Sequence, residues 1–267
     1  MSGDKPSSGW RDVDYTKPLS AEQVARGQHR SHVGGMWETI GALQRDFLVE
    51  RGLRPEHQLL DVGCGALRAG RLFVDYLAPG NYHGIDINET LLDAGYDSEL
   101  SDPLRAKLPR DHLRATDRFE CDFGGVTFDY AIAQSIFTHV SLNHIRLCLH
   151  QVSKVVRPGG SFFATFFEVP RRFPLDGVRR GTKDQFTERN VFFYYRSDLF
   201  WAASFSPWVP RYIGAWDHPR GQRMIEFRRA GDSVPWKLQR AARNTTAADV
   251  HAATARLARR VRRRLTG

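Results

Sequence analysis

Leu59-Leu60-Asp61-Val62-Gly63-Cys64-Gly65-Ala66-Leu67-Arg68 is the stretch on which the reading of this chain turns. Gln58 to Val62 has the length and apolar density of a short buried strand, and it runs directly into a Gly-x-Gly turn. Leu67 to Leu77 then reads as a helix. Two missing side chains let backbone approach a bound molecule closely, and a helix N-terminus favours anionic groups. A bare Gly-x-Gly says little. Here Tyr82 to Ile87 reads as a second strand ending on Asp86. That is about 20 residues beyond the turn, where a carboxylate can accept both hydroxyls of a ribose.

Outward from this pair the pattern repeats. Thr90 to Tyr96 reads as a helix, Leu113 to Thr116 as a weak third strand and Phe128 to Ala133 as a clear fourth. His144 to Val156 is helical and stops at Arg157-Pro158-Gly159-Gly160. Ser161 to Phe167 is a fifth strand, and Trp208 to Ala215 with Arg223 to Phe227 forms a terminal hairpin. Upstream, Ser20 caps a short helix to about Arg26, and Trp37, Ile40, Leu43, Gln44, Phe47 and Leu48 mark an amphipathic helix ended by Gly52. Strands alternating with helices imply a mostly parallel sheet, with ligands beyond the carboxyl ends of its strands.

Four blocks now stand in order: Leu-Leu-Asp-Val-Gly-Cys-Gly at 59–65, Gly-Ile-Asp at 84–86, Phe-Asp-Tyr-Ala-Ile-Ala-Gln-Ser at 128–135 and Val-Val-Arg-Pro-Gly-Gly at 155–160. Over residues 32 to 230 the chain resembles the class I S-adenosylmethionine-dependent methyltransferases, in a subset with Gly-Cys-Gly-Ala-Leu-Arg at the glycine turn. The resemblance implies an α/β, Rossmann-like doubly wound sheet of seven strands in the order 3-2-1-4-5-7-6, the seventh antiparallel, with helices on both faces. It implies S-adenosylmethionine as cofactor. Gly63, Cys64 and Gly65 would meet its methionine end, Asp61 the turn or the amino group, and Asp86, with Ile87 beside it, the ribose. Asp117, with Asp122 as competitor, would meet the adenine, and Gln134 and Ser135 the methionine portion. Leu67 stands where the family usually has a third glycine. A nicotinamide dehydrogenase would want Gly-x-Gly-x-x-Gly, and its last position here is Arg68.

Three domains are expected: a mobile leader over 1–30, a catalytic domain over 31–230 with an acceptor-side insertion at 169–196, and a basic helical tail over 231–267. The charge is uneven. The whole chain carries 39 Lys+Arg against 30 Asp+Glu, a net of +9. Residues 236–267 hold nine of those cations and one acid, Asp249, so the first 235 residues carry about +1. That distribution disfavours a protein that coats nucleic acid. The N-terminus lacks a signal-peptide pattern, no apolar run reaches membrane-spanning length, and Cys64, Cys121 and Cys148 have no metal-type pairing. A cytoplasmic enzyme with free thiols and no metal is the expectation.

If the acceptor is an alcohol, a general base assists. His139 follows the fourth strand, Glu168 ends the fifth and His218 lies in the last hairpin, and all three stay open as candidates. His32, before Gly34-Gly35, fits a cover over the cofactor. Residues 169–196 carry seven Lys/Arg against three acids, and the stretch to Trp201 holds eight aromatics, read as an acceptor pocket or as core of a helix near 198–203. The expected acceptor is a small or lipid-linked metabolite, anionic or lipid-linked, methylated at oxygen. The alternatives are a cofactor-binding scaffold without catalysis and a ribose methyltransferase. Ala133-Gln134-Ser135-Ile136 lacks the Asn/Asp-Pro-Pro-aromatic block of base amino methylation. Val250, Thr254, Leu257, Val261 and Leu265, interleaved with arginines, suit a basic helix that lies on an anionic membrane or contacts nucleic acid, or a solvated or partly packed surface helix.

Overall fold

The computed structural model describes residues 14–169, 179–180, 183–184 and 191–231. The expected basic tail and most of the acceptor-side insertion lie outside these residues. The chain runs through helices α1 (Ala21–Ala25), α2 (Gln28–His32) and α3 (Trp37–Glu50), then strand β1 (Leu59–Val62) and helix α4 (Gly70–Tyr76). Strand β2 (Tyr82–Asp86), helices α5 (Glu89–Ala94) and α6 (Asp102–Lys107), and strands β3 (Leu113–Ala115) and β4 (Phe128–Ala133) follow. Helix α7 (Leu142–Val155) leads to β5 (Val156–Glu168), a small hairpin of β6 (Arg179–Arg180) and β7 (Lys183–Asp184), and β8 (Phe193–Tyr194). Helix α8 (Arg196–Ala203) and strands β9 (Trp208–Gly214) and β10 (Arg223–Arg229) complete it.

The main sheet has the order β3-β2-β1-β4-β5-β10-β9, with β8 added beside the end of β5. β1, β2, β3, β4 and β5 run parallel, and β10 is antiparallel to both β5 and β9. This is the expected 3-2-1-4-5-7-6 arrangement. Successive side chains of a strand point to opposite faces, so a strand covered on both sides reads as a continuous apolar run. Phe162 of β5 packs with Phe128, Leu149 and Phe227 under α7, while Phe163 packs with Phe47, Phe73 and Trp216 under α3 and α4. The two faces thus hold separate cores.

Two expectations change. The helix after the glycine turn begins at Gly70, three residues late, because Leu67 takes φ 61. A left-handed non-glycine residue costs about 1–2 kcal/mol. Leu67 is fully buried against the Cα positions of Gly70 and Gly95, a close approach that offsets this cost. Residues 14–30, expected within a mobile leader, are packed onto the domain. Asn88 Nδ2 donates to the carbonyls of Tyr15 (3.0 Å) and Lys17 (2.9 Å), and Leu19 N donates to Thr90 Oγ1 (2.9 Å). His29 and Arg30 reach Glu99 at 2.6 and 2.7 Å. The helix near 198–203 buries Leu199, Ala202 and Ala203, whereas Phe200 and Trp201 are exposed.

Candidate functional site

The carboxyl ends of β1, β2 and β4 surround a cavity of about 510 Å³, within the usual size of a small-molecule site. Asp61, Gly63, Cys64 and Gly65 line it from β1 and its turn. Asp86, Ile87 and Asp117 line it from beyond β2 and β3, and Gln134 and Ser135 from the end of β4. All nine residues expected to meet a cofactor therefore share one wall. Asp122 does not line it. Its carboxylate accepts from Gly125 N at 3.1 Å instead.

The glycine turn works through space more than through its amides. Gly63 N and Cys64 N donate to Ile85 O at 2.7 and 3.0 Å, and Gly65 N donates to Asp86 Oδ2 at 2.8 Å. The turn is thereby fastened to β2 and its amides are engaged, contrary to the expectation of an anion-facing helix start. Gly63 has φ 76, and a Cβ there would sit 1.9 Å from Ile136 Cδ1. A Cβ on Gly65 (φ 54) would sit 2.7 Å from Val33 Cγ1. A side chain at either position would have to displace Ile136 or Val33, both of which line the cavity, from a left-handed backbone. The Cys64 sulfur packs on Gly84, and burial holds its thiol well above its ordinary range.

Two carboxyls in the wall are perturbed. Burial pushes Asp61 up to about 7, against the pull of the Tyr82 hydroxyl, which donates to Oδ2 at 2.8 Å. Burial also raises Asp86, although Asn88 N and Gly65 N both donate to it. Acids perturbed in this way concentrate at functional sites.

In the sequence Arg68 closes the Gly-Cys-Gly-Ala-Leu-Arg block and breaks a dinucleotide fingerprint, with no role of its own. It is buried, and its guanidinium donates to Val33 O (3.0 Å), Gly35 O (2.9 Å) and Gln134 Oε1 (2.6 Å). It therefore ties the N-terminal cover to the end of β4, and Arg220 adds a hydrogen bond to Gly34 O. Burial, with Arg220 nearby, lowers the Arg68 guanidinium to about 10. Tyr15, from the same cover, also lines the cavity, and its hydroxyl lies 3.4 Å from His139 Nε2. No local sequence signal marks Tyr15. It arrives through the Asn88 bridge, 73 residues away in sequence.

The three candidate bases separate. His139 lines the cavity, beside Ser141 and His144. Glu168 does not. Arg196 donates to its Oε1 at 3.0 Å and the Tyr212 hydroxyl donates to Oε2. His218 sits one layer behind the wall, where the Gln134 amide meets its Nε2 at 3.0 Å. Burial, Arg220 and Arg68 depress His218 to about 4. His32 contacts the Tyr15 ring edge-on at 5.6 Å, within the cover. Ser135, at φ 64, is held by Thr165 Oγ1, which accepts from its N–H at 2.7 Å, and by Gln222. No group of His, Cys, Asp and Glu among the described residues is arranged to hold a metal ion.

Residues 60–162 match the family profile described as a methyltransferase domain. A demethylmenaquinone methyltransferase of Symbiobacterium thermophilum is 29% identical over 131 residues, 48% of each chain, so the match spans about half the length of that curated relative. Among solved structures, the sugar N-methyltransferase KedS8 from Streptoalloteichus superposes with a TM-score of 0.57 at 16% identity, over 86% of this chain and 99% of its own. The amino pentose methyltransferase CalS10 of Micromonospora echinaspora gives 0.55 at 19% identity, over 80% and 99%. Magnesium protoporphyrin IX methyltransferase of Synechocystis, with bound S-adenosylmethionine, gives 0.51 at 14%, over 84% and 92%. The profile match marks a methyltransferase domain over residues 60–162, and the solved structures share the Rossmann-like fold.

Proposed function

We propose that this chain transfers a methyl group from S-adenosylmethionine to a hydroxyl of a small or lipid-linked metabolite. One observation carries the reading: the nine residues named from the sequence for the cofactor converge on a single cavity at the carboxyl edge of the sheet. The residues present fit the donor. With its ammonium, sulfonium and carboxylate it is a net cation, and the described wall sets Asp14, Asp61, Asp86 and Asp117 against the single guanidinium of Arg68. Asp86 would hold the ribose hydroxyls, its carboxylate already oriented by two backbone amides. Asp61 would meet the ammonium, Arg68 the carboxylate, Asp117 the adenine amino group, and Gln134 with Ser135 the methionine chain. When bound, the donor supplies a methyl group already activated by its positive sulfur.

The protein then has to align the acceptor and exclude water. The cover over residues 14–35, latched by Asn88, Arg68 and Arg220, does the second. His139 Nε2 would take the proton from the acceptor hydroxyl, the acceptor replacing the Tyr15 hydroxyl that lies 3.4 Å from that nitrogen, while the Tyr15 ring packs against the imidazole at 4.7 Å. Glu168 and His218 do not line the cavity, and a histidine held near 4 is a weak base at neutral pH. Methyl-labelled donor offered with phenols, sugar alcohols, isoprenoid alcohols and matched amines tests the reading. Label on oxygen is the expected product. Label on nitrogen or carbon alone overturns the choice of atom, and donor binding without transfer to any acceptor favours a scaffold.

A further inference from the structure

A second cleft, of about 280 Å³, shares no lining residue with the first. It lies at the opposite edge of the sheet. Tyr130 pairs with Leu59, the first residue of β1, and Ser161 pairs with both Tyr130 and Arg228. Arg51 comes from the C-terminal end of α3, and Arg157 from the start of β5. Four guanidinium groups, Arg51, Arg157, Arg211 and Arg228, therefore meet two carboxylates, Asp129 and Glu226, leaving 4 − 2 = +2.

The carboxylates are already engaged. Asp129 accepts from Arg157 Nε at 2.6 Å and from Gln58 N at 2.8 Å. Glu226 accepts from Ser161 Oγ at 2.7 Å and stands 3.7 Å from Arg211. Neither Arg51 nor Arg228 has a carboxylate partner among the described residues. Two of the arginines are held in place, Arg157 by Asp129 and Arg51 over the Phe47 ring at 5.1 Å. Ordering them on a ligand therefore costs less than ordering free side chains. Planar guanidinium forks match the oxygens of a phosphate in pairs, which a lone ammonium does not. We propose that this cleft binds a phosphate group, carried by a soluble phosphomonoester or by a lipid headgroup. The inference is independent of the chemistry assigned to the first cavity.

The test uses the full chain and the variant Arg51→Gln/Arg228→Gln. Both sites are exposed, and unchanged thermal melts confirm folding. Inorganic phosphate is titrated by calorimetry at constant ionic strength, and vesicles of phosphatidylcholine with and without phosphatidic acid are tested by flotation. Both proteins keep residues 232–267, so the charge of that stretch cancels in the comparison. A loss of about tenfold or more in phosphate affinity, roughly one charge-assisted hydrogen bond, supports the site and a soluble ligand. A variant-sensitive difference confined to phosphatidic acid vesicles supports the site and a headgroup. Equal behaviour of the two proteins in both arms, or no saturable binding in either, overturns the proposal.

Discussion

Asp61→Asn should stabilise the ligand-free protein at pH 8 and weaken its hold on the donor. Asp61 is 3% exposed, and burial pushes its carboxyl from 3.8 up to about 7. Between those values the folded state carries a proton that the unfolded chain has lost, so stability falls as pH rises through the window. At ~1.36 kcal/mol per pH unit, the full interval is worth on the order of 4 kcal/mol, and the part between pH 5 and pH 8 about 3 kcal/mol. Asparagine keeps an oxygen for the Tyr82 hydroxyl at 2.8 Å but cannot ionise. Urea unfolding at pH 5 and pH 8 measures the difference. The wild type should lose stability relative to the variant across that interval. Parallel pH profiles would refute the assignment of a strained, ionisable Asp61. A cationic donor beside this carboxyl should also release a proton on binding near pH 7, seen as a dependence of the binding enthalpy on buffer ionisation.

Gly63→Ala places a methyl 1.9 Å from Ile136 Cδ1 at φ 76. It should abolish donor binding, and a variant that binds as wild type in calorimetry would show that the turn is not part of the pocket. Arg68→Met removes three hydrogen bonds to the cover and β4. It should cost about 2–4 kcal/mol in urea unfolding and speed tryptic cleavage at Arg26 and Arg30, whereas unchanged cleavage would deny Arg68 its role as a latch. His139→Ala should lower kcat by roughly 10²–10⁴ while leaving binding of the demethylated cofactor intact. A fall of equal size in binding would make His139 a cofactor contact instead.

Seven strands of the sheet were legible because each carries its own local signal, whereas the two-residue β8 beside the end of β5 carries none. Val62, Asp86 and Ala133 each end a strand, and these ends are the edge on which the cavity lies. The residues named for the cofactor follow from that edge. What the sequence concealed depends on distant partners. Leu67 looks like a helix starter, and only its burial against Gly70 and Gly95 explains its left-handed backbone. Arg68 acquires a role because carbonyls 33 and 35 residues upstream fold over it. Tyr15 lies in a polar leader without periodicity, and distant partners, the Asn88 side chain and the His32 ring, bring it to His139. Glu168 has the right address for a base, at the end of β5, yet Arg196 and Tyr212 from later elements engage it. Helix α6, six residues beginning Asp102-Pro103, is too short to show an apolar period.

The central claim is that the turn at Gly63-Cys64-Gly65 and the carboxylate of Asp86 together grip an S-adenosyl ligand. Calorimetric titration of the folded chain with S-adenosylhomocysteine, in parallel with Asp86→Asn, tests it most directly. Asparagine retains an acceptor for Gly65 N, 2.8 Å from the native carboxylate, so the turn keeps its anchor while one ribose-binding oxygen is lost. The account predicts saturable one-to-one binding by the wild type, at least about tenfold weaker in the variant. Absence of binding by well-folded wild type, or equal affinity in the two proteins, would contradict it.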